Sequence, residues 1–288
     1  MVIDGNTILC GLFGHPVAHS FSPAMHNAAF NALKMNWVYL PFNVEPQHLQ
    51  QAVAAIKSLH LAGVNVTIPH KEAVISLLDE LTPAAQNIGA VNTIVNQNGR
   101  LLGHNTDGAG FTKALVAEFQ FAAAGKSVVI LGAGGAAKAV AVQLALEGVK
   151  NITIVNRALS KAEAIASNLS KFPVNVQLLT WDQQEILARK MSNADLIVQT
   201  TNIGMHPHVD QCVPVPKGVL HSNQVVCDLI YNPVETVFLK QAMMAGAKAT
   251  NGLGMLLYQG AMAFEAWTGA TAPVNVMRQV LLNKLGDY

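Results

Sequence analysis

Along this chain, short apolar runs with strand character alternate with segments whose apolar positions recur at helical spacing. The strand-like runs cover residues 8–14, 37–44, 63–67, 90–96, 127–131, 151–156, 194–200 and 225–229. Between them, helix-period segments cover residues 23–33, 46–59, 110–119, 135–146, 161–169 and 235–245. Alternation of this kind predicts βαβ units, hence an α/β protein with a mostly parallel sheet. No repeat of solenoid period and no low-complexity tract interrupts it. The alternation breaks near 107–110, ahead of a glycine-rich turn, and again near 251–254, after which two helices close the chain. The breaks set off a central nucleotide-binding-like unit, 109–251, and the pattern alone leaves open whether the closing residues 252–288 pack on 1–108.

Length supports that division, because single cores stop growing near the 288 residues found here. Hydrophobic residues make up 51% and charged residues 12%, a balance suited to an enzyme with internal strands. With 18 Lys+Arg against 17 Asp+Glu, the net charge of +1 offers no broad footprint for nucleic acid or an anionic membrane. The longest apolar stretch, 128–146, is broken by glycines and Lys138, so it reads as a buried strand plus helix rather than a membrane span. The opening MVIDGNTILCGLFG has no basic flank, which argues against a secretory signal. Cys10, Cys212 and Cys227 are odd in number and far apart, as expected of reduced thiols in a cytoplasmic protein. No metal site is expected: His206, His208 and Asp210 flank Pro207 in a loop and read as solvated residues, while His15, His19 and His26 read as packing residues.

The segment SVVILGAGGAAKAV has the order of a dinucleotide site: buried strand, tight glycine turn, helix. Gly132 permits the turn and Gly134 lets the backbone approach a pyrophosphate. Ala137 takes the third place of a G-x-G-x-x-A variant, where a small side chain allows close helix–strand packing. The helix then offers free N–H groups and the positive end of its dipole to phosphates. Where NAD sites place an acid at the end of the next strand, this chain has Asn156, then Arg157, with Lys161 one helical turn on. An arginine fork holds a 2′-phosphate that a carboxylate would repel, so NADP is favoured over NAD.

Four segments set polar groups beside strands and turns: HSFSP, NVTIPHK, GAVNT and GHNTDG. Lys71 follows Pro69, a residue suited to a helix's first turn, where a cation opposes the dipole and so is not explained by helix stability. Asp107 and Ser22 each also read simply as a helix N-cap. Together the segments supply a cation, a carboxylate, hydroxyls and amides. That inventory can bind a carboxylated polyol and move a proton.

In their order, the blocks GHPVAHSFSP, NVTIPHK, GAVNT, GHNTDG, LGAGGAA, NR followed by SK, DLIYNP and NGLGMLLYQGA resemble the shikimate dehydrogenase family over nearly the whole chain. The resemblance implies a substrate domain made of 1–108 and the closing helices, and a Rossmann-like NADP domain, with the active site in the cleft between them. It implies that Lys71 and Asp107 are the catalytic pair. Ser20 and Ser22 would hold a substrate carboxylate. Asn65, Thr67, Asn92 and Gln259 would bond ring hydroxyls or position the pair, and Tyr231 would touch substrate. On the cofactor side it implies a phosphate turn of Gly132, Ala133, Gly134, Gly135 and Ala136. Asn156, Arg157 and Lys161 would surround the adenosine ribose, and Leu229 and Gly252 the nicotinamide. The expected reaction is NADP-dependent interconversion of 3-dehydroshikimate and shikimate. A quinate/shikimate dehydrogenase that also uses NAD is the alternative, and a ligand-sensing module without turnover is a remoter one. A homodimer is compatible with the resemblance, which does not fix oligomeric state. Two departures stand out: Ala158 and Lys161 occupy positions where the family commonly has Thr and Arg, and Gln199 and Asn202 stand where Asn and Ser are more usual.

Overall fold

The structure, a computed structural model, describes residues 3–286. The chain forms two compact units, Met1–Gly110 with Leu257–Tyr288, and Phe111–Leu256.

In the first unit the elements run β1 (Ile8–Gly14), α1 (Ser22–Ala32), β2 (Trp37–Asn43), α2 (Leu49–Ser58), β3 (Gly63–Val66), β4 (Glu80–Leu81), α3 (Pro83–Ile88), β5 (Thr93–Gln97) and β6 (Arg100–His104). The chain leaves through α4 (Asp107–Phe119) and returns through α9 (Leu253–Thr268), ending in α10 (Val274–Gly286). Short 3₁₀ helices at Pro46–His48 and Ala73–Leu77 precede α2 and β4. The strands form one sheet in the order β2-β1-β3-β5-β6-β4. Expectation and outcome part here, because β5 pairs antiparallel with both β3 and β6, making this sheet mixed. The cause is local: Asn98 and Gly99 both take positive φ, 54° and 91°, in a two-residue turn. An Asn-Gly pair is the common choice for such a hairpin, and it folds β6 straight back on β5. Helix α2 turns Val53 and Ile56 inward, where they meet Phe13, Val64, Ile94 and Leu101. Helix α1 packs on α10 and β2.

The second unit contains β7 (Ser127–Leu131), α5 (Gly135–Leu146), β8 (Asn151–Val155), α6 (Leu159–Leu169), β9 (Asn175–Leu179), α7 (Gln184–Ser192), β10 (Leu196–Gln199), β11 (Val225–Asp228), α8 (Val237–Met244) and β12 (Lys248–Thr250). All its pairings are parallel, in the order β12-β11-β10-β7-β8-β9. The order reverses beside β7, between β8 and β10, which creates the crevice where doubly wound sheets bind ligands. This is a Rossmann-like arrangement. Strands β7, β10 and β11 are buried almost throughout, as expected for a parallel sheet covered on both faces. The edge strands β9 and β12 escape the apolar pattern because they are half exposed. Among the described residues, no helix is long and apolar enough to cross a membrane.

Candidate functional site

The polar residues of the first unit converge where β3, β5, α4 and α9 meet. Asn65 lies in β3, Asn92 precedes β5, Asp107 opens α4, and Gln259 lies on α9. Gly110 makes room for that convergence, since a Cβ there would lie 2.6 Å from the Gln259 backbone nitrogen. Lys71 Nζ donates to Asp107 Oδ2 at 2.6 Å, and the two side chains are 27% and 10% exposed. The pair is therefore reachable by a ligand yet mostly withdrawn from water, where a charge-assisted bond is at its strongest. Asn92 Nδ2 donates to the other carboxylate oxygen, Asp107 Oδ1, at 2.9 Å, and to Thr106 Oγ1 at 2.8 Å. Its own Oδ1 accepts from the Thr106 backbone N–H at 2.8 Å. Asn92 is thus saturated by protein partners and acts on Asp107. A longer bond of 3.4 Å reaches Gln259 Oε1.

Two local expectations are corrected. Lys71 is not in a helix's first turn: it lies in a turn, and only the five-residue 3₁₀ helix Ala73–Leu77 follows. The turn is pinned by His70, whose backbone N–H bonds the Thr67 carbonyl and whose buried ring bonds the Val44 carbonyl at 2.7 Å. Ser22 is the first residue of α1 rather than its cap; Phe21 takes the cap position and makes no side-chain cap bond. The Ser22 N–H instead bonds Ser20 Oγ at 3.3 Å, which brings the two serines together. Thr67 sits just beyond β3, its methyl facing Gly14.

In the second unit the glycine turn is built from backbone. Gly132 has φ +113°, and a Cβ there would fall 2.6 Å from Thr200 Oγ1. Gly134 caps α5 without a side-chain bond, and a Cβ on Gly134 or Gly135 would enter open space. Ala137 is fully buried, as close packing of α5 on β7 requires. A cavity of about 260 Å³ opens here, lined by Gly132, Ala133, Gly134, Asn156, Arg157, Ala158, Lys161, Trp181 and residues 200–203. Free amides at a helix N-terminus, bare glycines and two cations on the rim fit a phosphorylated dinucleotide. Asn156 Nδ2 donates to the Ala158 carbonyl at 2.8 Å, shaping the turn that presents Arg157. Trp181 was not anticipated; it follows β9, the edge strand that the apolar pattern did not reveal. Leu229 and Gly252 are brought into contact, since a Cβ on Gly252 would lie 2.0 Å from the Leu229 carbonyl oxygen. Tyr231 follows in the same segment, its phenol pushed up by burial. Asp228 anchors the segment by accepting from Thr236 Oγ1 at 2.7 Å and from the Ile230 N–H at 3.0 Å.

Three family models match the chain: the shikimate dehydrogenase substrate binding domain over residues 12–94, shikimate/quinate 5-dehydrogenase over 115–211, and the shikimate 5′-dehydrogenase C-terminal domain over 252–282. A shikimate dehydrogenase (NADP(+)) of Desulforamulus reducens is 56% identical, covering 97% of this chain and 96% of its own. The chain belongs to the shikimate dehydrogenase family. Among solved structures, a shikimate dehydrogenase in complex with NADP+ superposes with a TM-score of 0.91 at 45% identity, covering 99% of this chain and 98% of that one. The shikimate 5-dehydrogenase of Listeria monocytogenes, in complex with shikimate and NAD, gives 0.93 at 40% identity, covering 97% and 98%.

Within this shikimate dehydrogenase fold the departures acquire physical meaning. Gln199 is fully buried; its Nε2 donates to the Ile203 carbonyl at 3.1 Å and its Oε1 accepts from the Thr201 N–H. It therefore shapes the 199–203 turn that walls the cavity beside the glycine turn. Ala158 and Lys161 line the same cavity and offer a methyl and a point charge in place of a hydroxyl and a planar fork.

Proposed function

We propose that this chain catalyses the NADP-dependent, reversible reduction of 3-dehydroshikimate to shikimate, a step toward aromatic amino acids. The first unit is the substrate side and the second the cofactor side. The observation that carries the reading is the Lys71–Asp107 pair held at 2.6 Å with Asn92 on its outer oxygen. NADPH, when bound, supplies the hydride. The residues do the rest. In reduction, the Lys71 ammonium gives its proton to the carbonyl oxygen as that oxygen becomes a hydroxyl. In oxidation, the pair takes the hydroxyl proton back. Asp107, oriented by Asn92, keeps the lysine nitrogen pointed at the reacting oxygen. Ser20 and Ser22 receive the carboxylate, while Asn65, Thr67 and Gln259 meet ring hydroxyls and Tyr231 completes the substrate contacts. Gly132, Ala133, Gly134, Gly135 and Ala136 take the pyrophosphate, Asn156, Arg157 and Lys161 the 2′-phosphoribose, and Leu229 and Gly252 flank the nicotinamide. The unpaired Cys10, Cys212 and Cys227 accord with a cytoplasmic enzyme.

Ala158 and Lys161 favour a second reading, a quinate/shikimate enzyme that accepts NAD as well. Steady-state rates for shikimate and quinate, each with NAD and NADP, decide between them. A kcat/KM highest for shikimate with NADP supports the first reading. A preference for quinate or for NAD selects the second.

A further inference from the structure

Tyr39 lies in the middle of β2 with its side chain fully buried. Its backbone is held twice by Asn27 of α1: the Tyr39 N–H donates to Asn27 Oδ1 at 2.8 Å, and Asn27 Nδ2 donates to the Tyr39 carbonyl at 2.9 Å. Its ring stacks on His26, centroids 4.5 Å apart and 12° from parallel, with Trp267 6.0 Å away. His26 is fully buried with no partner for either ring nitrogen, and burial holds it neutral with a pKa lowered to about 3. Its contribution is thus a flat, uncharged surface under the phenol. So much restraint leaves the Tyr39 hydroxyl one place to point. It donates to Asn65 Oδ1 at 2.9 Å.

The rest of Asn65 is equally constrained. Its Nδ2 donates to the Asn92 carbonyl at 3.2 Å and to Thr93 Oγ1 at 3.0 Å. The Asn92 carbonyl only accepts, so the amide cannot be turned over without losing that bond. Both amide hydrogens are therefore occupied, Tyr39 fills one acceptor position on Oδ1, and a single lone pair is left for a ligand. Asn65 can receive a hydroxyl hydrogen but has no donor to offer a carbonyl.

We propose that Tyr39 is a positioning residue for the substrate: it acts through Asn65, locking that amide as a hydroxyl acceptor. This rests on the function proposed above. It also assigns Asn65 to a ring hydroxyl that stays a hydroxyl throughout, because the reacting carbon alternates between hydroxyl and carbonyl.

The test is steady-state kinetics with Tyr39→Phe, Asn65→Ala and the double variant. Tyr39→Phe should raise KM for shikimate about fivefold, the effect of one net hydrogen bond. It should lower kcat less than threefold and leave KM for NADP unchanged. In the Asn65→Ala background, adding Tyr39→Phe should change KM less than twofold, since the group it positions is gone. An unchanged KM with a lowered Tm would overturn the proposal. So would a full KM effect persisting without Asn65, or a kcat loss as large as the KM rise. Should Tyr39→Phe fail to fold, Thr93→Ala removes the acceptor on the opposite side of the amide. It must raise KM selectively too, and an unchanged KM there overturns the proposal. Oxidation of shikimate by the wild-type chain, measured in the same assay, tests the underlying function separately.

Discussion

The two regions proposed to face ligands are built from opposite materials. The glycine turn of the second unit, proposed for the cofactor, is made of backbone: three glycines and a helix end within residues 131–137, set at a reversal of strand order. The polar cluster of the first unit, proposed for the substrate, is made of side chains drawn from distant segments. Lys71 and Asp107 are 36 residues apart, and Asn92 and Gln259 are 167 apart. The glycine turn presents groups whose positions follow from local φ and ψ, and it remains open. The cluster instead satisfies itself, each buried polar atom holding the next, with few atoms left for a ligand. Binding of phosphates tolerates the first design because N–H groups and charges act over a broad solid angle. Moving one proton at one ring position requires the second.

That contrast can be broken most sharply at the Lys71–Asp107 pair. Lys71→Ala should lower kcat about a hundredfold or more while the protein still folds, since Asp107 keeps its bond to Asn92. Near-native turnover in the folded variant would remove Lys71 from its role, and circular dichroism distinguishes that from unfolding. Next in size, Ser22→Ala should raise KM for shikimate by a factor of roughly ten or more, corresponding to ~1.5–3 kcal/mol for a bond to a charged group. It should leave thermal stability close to wild type, because Ser22 does not cap α1. A lowered Tm with unchanged KM would restore the capping role.

On the cofactor side a backbone-built site predicts conformational failure rather than a lost contact. Gly132→Ala forces an L-residue to φ +113° and drives a methyl into Thr200, so stability should fall by at least ~1–2 kcal/mol along with NADP affinity. Equal KM for NADP in wild type and variant would show that the turn is more forgiving than its geometry. Arg157→Ala should weaken NADP severalfold more than NAD. The difference should shrink at high salt, because Arg157 is exposed and its attraction is screened. An equal loss for both cofactors would mean that Arg157 stacks on adenine instead of gripping a 2′-phosphate.

The smallest effect concerns pH. Burial raises the Asp228 carboxyl to about 6, against opposing bonds from Thr236, Ile230 and Gln199. A folded-state pKa above the unfolded value means that stability is fully present at low pH and is lost as pH rises through about 6. Asp228→Asn should therefore flatten the Tm profile between about pH 4 and 6. A profile unchanged by the substitution would assign that slope to other groups.

Much of this protein could be read from its residues alone, and the reason is locality. Strands β7, β8, β10 and β11 and helix α5 announce themselves because each is an uninterrupted buried run or a helix bounded by glycine. Position 132 demands glycine by its φ, so the glycine turn is written into a dozen adjacent residues. The blocks around Lys71, Asn92 and Asp107 were visible as polar groups out of place beside strands. Edge strands β9 and β12 were not visible, because half-exposed strands carry mixed residues and a weak pattern. The hairpin at Asn98–Gly99 was legible in principle, yet the mixed sheet it produces depends on β3 meeting β5 across the fold. What only the tertiary structure decided is which polar atoms face one another. Nothing in the spacing of Tyr39, Asn65, Thr93 and Asn92 says that one amide will use both hydrogens on protein and keep a single lone pair. Such pairings arise from strands laid side by side in a buried sheet, where an unmet hydrogen bond is costly. The choice of partner is made by burial, after local sequence has finished choosing the elements.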